Sequence, residues 1–199
     1  MFQVRIHGRG GQGAVTAAEL LSVAAFFEGR HAQAFPSFGS ERTGAPVMAF
    51  CRIDDRPIRV REPVTRPDAL VIQDATLLHQ VNVVEGLTPG GSVLVNSPGD
   101  PDALGLTSLT GPVLTVPATA IALRHFGRPV PNVVLLGGLA ALTGCVTIDS
   151  LADAVQGRFH GELGSANAAA AREAYAHIRA RRRRQPTNPR GEPAHAQTD

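Results

Sequence analysis

Cysteine is scarce in this chain of 199 residues, which contains only Cys51 and Cys145 and has no tryptophan. Iron–sulfur clusters and zinc ribbons need closely spaced cysteines, commonly as C-x-x-C, and no such pair occurs here. The chain by itself therefore lacks the signature of either kind of metal site. We expect both cysteines to be buried as small hydrophobic residues.

Long apolar runs are also missing. No stretch approaches the roughly 20 apolar residues that a membrane-spanning helix needs. The chain opens on an alternating segment that contains Arg5 and His7, and this differs from the pattern of a signal peptide. Hydrophobic residues make up 43% of the 199, which is typical of one soluble α/β domain with its own core. We therefore expect a cytoplasmic protein with no membrane partner.

Positive charge is in small excess, and most of it lies at one end. The formal net charge is +2, yet residues 181–199 hold five arginines against Glu192 and Asp199, which leaves the rest close to neutral. The arginines are not interleaved with aromatic residues, so we expect no nucleic-acid partner. We predict a folded domain over residues 1–180 and a basic, disordered tail over residues 181–199.

Motifs for catalysis by this chain alone are absent. The seven histidines do not have the spacing of a metal site, and no G-x-S-x-G segment occurs. Gly99-Asp100-Pro101 is similar to the start of a thiamine-diphosphate motif but lacks its second glycine and its later asparagine pair. We therefore predict no catalytic residue and no metal ligand here.

Apolar periodicity predicts alternating strands and helices. The predicted strands are 2–7, 31–35, 47–53, 69–73, 92–96 and 113–116, and residues 57–60 are predicted to pair with 47–53 as a hairpin. The predicted helices are 16–28, 77–84, 119–126, 131–144, 148–159 and 165–183. This order predicts an α/β fold, a three-layer α/β/α domain with a mostly parallel sheet plus a β-hairpin.

A glycine-rich loop directly follows the first predicted strand. It contains Gly8, Gly10, Gly11, Gln12 and Gly13, and the spacing of three of its glycines matches the G-x-G-x-x-G of dinucleotide-binding folds. Unpaired N–H groups at the start of the next helix attract phosphate. The loop is therefore either a phosphate cradle or a tight turn that allows close packing, and the spacing alone does not choose between them.

An acidic residue for the ribose hydroxyls of a dinucleotide is not where it is needed. Such folds place it about 20 positions on, at the end of the second strand. Glu28 has that distance but lies at the end of the first predicted helix, and the next acid is Glu41. This argues against ordinary NAD binding. Arg42 could meet a 2′-phosphate, so NADP stays open.

A second loop, residues 37–46, is rich in polar residues and glycine. Ser40, Glu41 and Arg42 offer a hydroxyl, a carboxylate and a guanidinium side by side. We expect them either to contact an anionic ligand or a partner subunit near the first loop, or to belong to an ordinary solvated surface loop.

Together, two segments carry a resemblance to a known family. Gly8-Arg-Gly-Gly-Gln-Gly13 followed by Phe35-Pro-Ser-Phe-Gly-Ser-Glu-Arg-Thr-Gly-Ala-Pro46 resembles the gamma subunit or domain of the 2-oxoacid:ferredoxin oxidoreductases, which act on pyruvate, 2-oxoisovalerate or 2-oxoglutarate. The segment 131–137 and the predicted helix 148–159 are similar to its C-terminal half. The likeness covers roughly residues 1–178.

The resemblance implies a subunit of a larger enzyme. Such complexes convert a 2-oxoacid to acyl-coenzyme A and pass electrons to ferredoxin. It also implies alpha, beta and ferredoxin-like delta partner subunits that hold thiamine diphosphate and iron–sulfur clusters. Coenzyme A is the ligand it implies near this chain, with N–H donors from Gly10 to Gly13 and charge from Arg42. Thr43 stands where the family often has a second arginine. The alternatives are a stand-alone NADP-dependent Rossmann oxidoreductase and a non-catalytic scaffold subunit.

Overall fold

Six strands form one sheet in the computed structural model, which describes residues 1–37 and 43–184. The strands are β1 (Phe2–Arg9), β2 (His31–Pro36), β3 (Pro46–Asp54), β4 (Ala69–Ile72), β5 (Ser92–Asn96) and β6 (Val113–Val116). Their order is β2-β3-β1-β4-β5-β6. The neighbouring pairs β1–β4, β4–β5 and β5–β6 are parallel, while β3 is antiparallel to both β1 and β2. The predicted mostly parallel sheet is confirmed.

The five α-helices of the described residues all contribute to the larger apolar core, on one face of the sheet. They are α1 (Ala14–Phe27), α2 (Ala118–Phe126), α3 (Asn132–Thr143), α4 (Ile148–Arg158) and α5 (Gly161–Arg184). Helix α3 is apolar nearly all round because it is enclosed on both sides: a Cβ at Gly137 would lie 2.0 Å from the Ala171 carbonyl oxygen of α5, and one at Gly138 2.9 Å from Leu94 of the sheet. The two glycines thus permit close packing of α3 on both α5 and the sheet.

The opposite face of the sheet is covered by short 3-10 helices and loops. Leu70, Ile72, Val93 and Val95 point to this side and form a smaller core with Leu77 and Val83. The predicted helix over residues 77–84 is wrong: a 3-10 helix occupies Ala75–His79. Within residues 77–84, the buried apolar residues are Leu77 and Val83. Two such residues are too few to form the apolar face that a longer helix needs. The layers are therefore α-helices, sheet, and a thinner cover of 3-10 helix and loop.

The antiparallel partner of β3 also differs from the prediction. Residues 57–60 belong to no strand, and β3 instead pairs with β2 on one side and β1 on the other. Because β3 is an interior strand, neither of its edges is left for residues 57–60. Pro57 also lacks the N–H that a ladder needs.

Helix α5 runs past the predicted end of the domain. It ends at Arg184, so the boundary predicted at residue 180 falls within a helix. Arg181 donates to the Thr115 hydroxyl at 2.8 Å, and Arg182 donates to the carbonyls of Ala141 and Leu142. Residues 181–184 of the tail predicted over 181–199 are therefore helical, and its remaining residues, 185–199, lie outside the described residues. Within residues 1–37 and 43–184, no helix is both long and apolar enough to cross a membrane.

Candidate functional site

The carboxyl edge of the parallel strands is where the polar features of this chain gather. Helix α1 follows β1 through the glycine loop, and α2 begins soon after β6, so both helices start at this edge. Helix α3 starts there too, since Asn132 donates to the Gly13 carbonyl at 3.3 Å. In open α/β sheets, ligands bind in crevices at this edge.

Two glycines in the loop have backbone conformations that other residues rarely adopt. Gly11 has φ +96° and Gly13 has φ +75°. A Cβ at Gly13 would lie 2.4 Å from Nδ2 of Asn132, so the start of α3 also fixes this position as glycine. A Cβ at Gly11 would meet no atom within 4 Å among the described residues beyond its chain neighbours. The loop is thus tightly packed at Gly13 and open at Gly11.

Half of the backbone donors expected in the loop are used inside the protein. The Gly10 N–H donates to the Ala45 carbonyl and the Gln12 N–H to the Arg9 carbonyl, each at 2.9 Å. The Gln12 side chain contributes differently, because its Oε1 accepts from the Arg9 N–H at 2.8 Å. Among the described residues, the N–H groups that remain for an anion are those of Gly11, Gly13 and the first turn of α1.

The helices that start at this edge differ from the other two in their first turns. The residues preceding α1, α2 and α3 make no side-chain cap, and none of these helices has an acidic residue in its first turn. By contrast, α4 is capped by Thr147 and has Asp149 in its first turn, and α5 has Glu162. Asn96 nevertheless accepts from the Thr119 N–H in α2, and Asn132 accepts from the Val133 N–H in α3. Of these three helices, α1 is therefore the one whose first turn has neither a described side-chain acceptor nor a carboxylate, and such a positive helix end is available to an anion.

Gln73 lies immediately beneath the loop at the end of β4, and no motif in the sequence marks it as a site residue. Its side chain is fully buried, and neither Oε1 nor Nε2 has a hydrogen-bond partner among the described residues. The amide lies against Gly8, where a Cβ would be 2.5 Å from Oε1. Leaving a buried polar group without a hydrogen bond costs about 1–3 kcal/mol of stability. The Gln73 amide is therefore a candidate to form hydrogen bonds with a ligand.

Arg9, between two glycines of the loop, organises the neighbouring chain. Its Nε donates to Asp74 at 2.8 Å, its Nη1 to the Gly44 carbonyl at 3.1 Å and its Nη2 to Thr76 at 2.6 Å. Burial raises the pKa of the Asp74 carboxyl, but the hydrogen bonds from Thr76 and Arg9 outweigh it and the pKa lies below its ordinary value. Asp74 is therefore held as a carboxylate that orders the loop.

The second loop meets the first where both are described. Gly44 donates to the Gly10 carbonyl at 3.1 Å, and Thr43 forms a parallel bridge with Gly10. The two segments that carried the resemblance are thus neighbours in space. Ser40, Glu41 and Arg42, expected to contact a ligand or partner, lie outside the described residues.

Beyond the loop, on the face away from the helices, lies a cavity of about 550 Å³ lined by residues including Arg5, His7, Met48 and Leu77. Arg5 Nε donates to His7 Nε2 at 3.0 Å. Burial, together with Arg5, lowers the pKa of His7 to about 4, so the imidazole is neutral at physiological pH. Among the described residues that line this cavity, Arg5 is therefore a fixed guanidinium and His7 a neutral imidazole.

The strand order differs from that of a dinucleotide-binding fold. There the second parallel strand lies directly beside the first and carries the ribose-binding acid at its end. Here β3 lies between β1 and β2, so the end of β2 is two strand spacings, about 10 Å, from β1. The glycine spacing occurs without the neighbouring strand that a dinucleotide site needs.

Comparison with known proteins matches this chain to one family. The protein-family model for pyruvate ferredoxin/flavodoxin oxidoreductase matches residues 3–177. The chain is 50% identical over 175 residues to pyruvate synthase subunit PorC of Methanocaldococcus jannaschii, covering 88% of this chain and 96% of that protein. It is 49% identical over 177 residues to the pyruvate/ketoisovalerate oxidoreductases common subunit gamma of Thermococcus litoralis, with the same shares covered.

Solved structures agree with this match. The pyruvate oxidoreductase subunit PORC of Thermotoga maritima superposes with a TM-score of 0.78 at 39% identity, over 88% of this chain and 95% of that one. The 2-oxoglutarate:ferredoxin oxidoreductase of Magnetococcus marinus, solved with 2-oxoglutarate, coenzyme A and succinyl-CoA bound, shares the fold with a TM-score of 0.72 at 20% identity, over 90% of this chain and 31% of that one. The resemblance read from the two loops is confirmed, and the chain belongs to the pyruvate ferredoxin/flavodoxin oxidoreductase family as a gamma-type member.

Proposed function

We propose that this chain is the gamma component of a multisubunit 2-oxoacid:ferredoxin oxidoreductase, and that its glycine loop helps to hold coenzyme A. The complex converts pyruvate or another 2-oxoacid to acyl-coenzyme A and passes the electrons to ferredoxin. Family membership and the names of the relatives, which are subunits of pyruvate and ketoisovalerate enzymes, support the enzyme class. The role in binding coenzyme A rests on the geometry of the loop.

The single observation that carries this role is the uncapped, acid-free start of α1 above the unpaired amide of Gln73. Coenzyme A carries a pyrophosphate and a 3′-phosphate, which suit N–H groups at a helix start. The residues that would hold a phosphate are Gly11, Gly13 and the first turn of α1. Coenzyme A supplies the thiol that receives the acyl group; this chain binds and orients the molecule and contributes no catalytic side chain.

The remaining cofactors are assigned to other chains of the complex. An iron–sulfur cluster takes about four cysteine ligands, whereas this chain has two cysteines. Burial raises the pKa of the Cys145 thiol to about 11 and that of Cys51 higher still, which opposes the thiolate form that a metal needs. We therefore assign thiamine diphosphate and the clusters to alpha, beta and ferredoxin-like delta partners, in a cytoplasmic complex.

The test uses the reconstituted complex and a pair of variants at Thr16, in the first turn of α1. Thr16→Asp places a carboxylate where a phosphate would bind, and Thr16→Asn is a neutral control of similar size. An acid in the first turn is favourable for the helix itself, so the variant is not expected to unfold α1. We expect Thr16→Asp to raise the KM for coenzyme A by about tenfold, or about 1.4 kcal/mol, while the KM for the 2-oxoacid stays unchanged.

The same experiment separates the alternatives. An unchanged KM for coenzyme A in both variants would mean that the loop serves only assembly, as in a scaffold subunit. A purified chain that binds NADPH and transfers hydride without partners would contradict the proposal altogether.

A further inference from the structure

The outer edge of β2 carries backbone groups that are free to pair. Ser37 lies opposite Met48 in the register of β2 and β3, and its N–H donates to the Met48 carbonyl at 2.9 Å. In an antiparallel ladder such bonded positions alternate, so the odd-numbered residues of β2 face β3. The N–H and C=O groups of Ala32 and Ala34 therefore point away from the sheet.

The opposite edge of the sheet, formed by β6, differs from the β2 edge. At β6, Arg181 of α5 donates to the Thr115 carbonyl at 3.3 Å and so places a charged side chain at that edge. For β2, no described residue supplies a comparable cover. The strand also lacks the charged residues and central proline that protect natural edges, since its sequence is His-Ala-Gln-Ala-Phe-Pro. An edge strand of this kind can pair with a strand of another chain.

An apolar ridge on α1 runs beside the same edge. Val23, Phe26 and Phe27 are 40%, 72% and 54% exposed, large values for such side chains. A groove of about 470 Å³ separates the ridge from β2 and is lined by residues including Val23, Phe26, His31 and Ala32. Exposed apolar surface next to an open strand edge is typical of an association surface.

We infer that β2 and the α1 ridge associate with a second copy of this chain. The two β2 strands would pair antiparallel about a two-fold axis at Gln33, so that Ala32 of each copy lies opposite Ala34 of the other. Each of these two pairs exchanges two backbone hydrogen bonds, and the joined sheet continues across both copies.

Two features make the surface complementary to itself. Residues 32–36 carry no charge, and the basic pair Arg30 and His31 of one copy comes beside Pro36 and Phe35 of the other, so like charges are not opposed. Helix α1 packs against β2 and β3, so a two-fold axis perpendicular to the joined sheet keeps the α1 helices of both copies on the same face. The exposed Val23 and Phe26 of each copy then lie on that face beside the joined strands.

The test measures the mass of the full-length chain in solution by light scattering and sedimentation over a range of concentrations. We expect a dimer with twice the 20.9 kDa of one chain. Ala34→Pro removes only an outward-facing N–H, and Phe26→Glu places a charge in the ridge; each should give a folded monomer. Leu123→Glu, at a 47% exposed position on α2 near the far edge, should remain dimeric.

Three results would overturn the inference. The first is a wild-type chain that is monomeric at every concentration. The second is a dimer that survives both Ala34→Pro and Phe26→Glu. The third is that these variants lose assembly with a different subunit while the wild-type chain alone stays monomeric. Circular dichroism of each variant establishes that a change of mass is not caused by unfolding.

Discussion

Gly8 lies directly against the buried amide of Gln73, and a Cβ at position 8 would stand 2.5 Å from Gln73 Oε1. The end of β1 can approach the end of β4 this closely only because residue 8 has no side chain. The contact places an unpaired amide under the loop that is proposed to hold a phosphate. Gly8 and Gln73 therefore serve both the close packing of β1 on β4 and the candidate phosphate site.

Replacing Gly8 tests this contact. Gly8→Ala should destabilise the chain by about 1–3 kcal/mol, because a methyl group must displace the Gln73 amide in a closed space. In the double variant Gly8→Ala/Gln73→Ala the added methyl finds room, so the two changes together should cost less than the sum of the single changes. Urea unfolding of all four proteins measures the coupling. Strict additivity would show that the two side-chain positions do not compete for space.

A matched pair of glycines separates backbone strain from crowding. Gly13 and Gly105 have φ +75° and +69°. A Cβ at Gly13 would lie 2.4 Å from Asn132, while one at Gly105 would meet no atom within 4 Å in residues 1–37 and 43–184 beyond its chain neighbours. Gly105→Ala should cost about 1–2 kcal/mol for the left-handed conformation alone. Gly13→Ala should cost clearly more, since the start of α3 must also move. Equal losses of unfolding free energy would contradict the tight packing of the loop on α3.

The buried His7 predicts how stability depends on pH. Its pKa is about 4 in the folded chain, first because it is buried and second because Arg5 is adjacent, whereas the ordinary value is 6.5. The unfolded chain therefore binds more protons between these two pH values, and the free energy of unfolding falls as the pH drops from about 6.5 to 4, by about 3 kcal/mol in total. His7→Gln should remove this part of the pH dependence. A proton titration of His7 by NMR with a midpoint near 6.5 would contradict the prediction.

The last turn of α5 should matter for stability. Arg182 donates to the carbonyls of Ala141 and Leu142 at 3.1 and 3.0 Å, where α3 ends, and Arg181 bonds to Thr115. A chain ending at Arg184 should keep the full free energy of unfolding. One ending at Ala180 should lose roughly 1–3 kcal/mol, because the carbonyls at the end of α3 lose their donor. Arg183→Ala, at an exposed position beside them, is the control and should change stability by less than about 0.5 kcal/mol.

Local patterns in the sequence were sufficient for much of the fold. The alternation of Val4 and Ile6, the glycines that follow and the alanine-rich segment predict β1, the loop and α1, since each depends on near neighbours along the chain. Apolar residues on every side of the segment 131–144 predict a buried helix, and α3 is one. The family resemblance came from two loops, and the structure places their described parts in contact.

Other features depend on residues far apart in the sequence. The insertion of β3 between β1 and β2 could not be inferred from residues 47–60, which by themselves predict a local hairpin. Arg9 meets Asp74, Gln73 meets Gly8 and Asn132 meets Gly13 only after the strands are ordered. None of these pairs has a periodic signal, because a polar side chain at the end of a strand looks the same whether it faces solvent or a neighbour.

By itself, the sequence determined the strand–loop–helix unit, the α/β class and the family, because these follow from short-range periodicity and from motifs carried on contiguous residues. Only the tertiary structure decided which N–H groups of the loop remain free, what lies beneath it and which sheet edge is left open. Those properties are set by which strand lies beside which, and by the burial of polar groups between elements that are tens of residues apart.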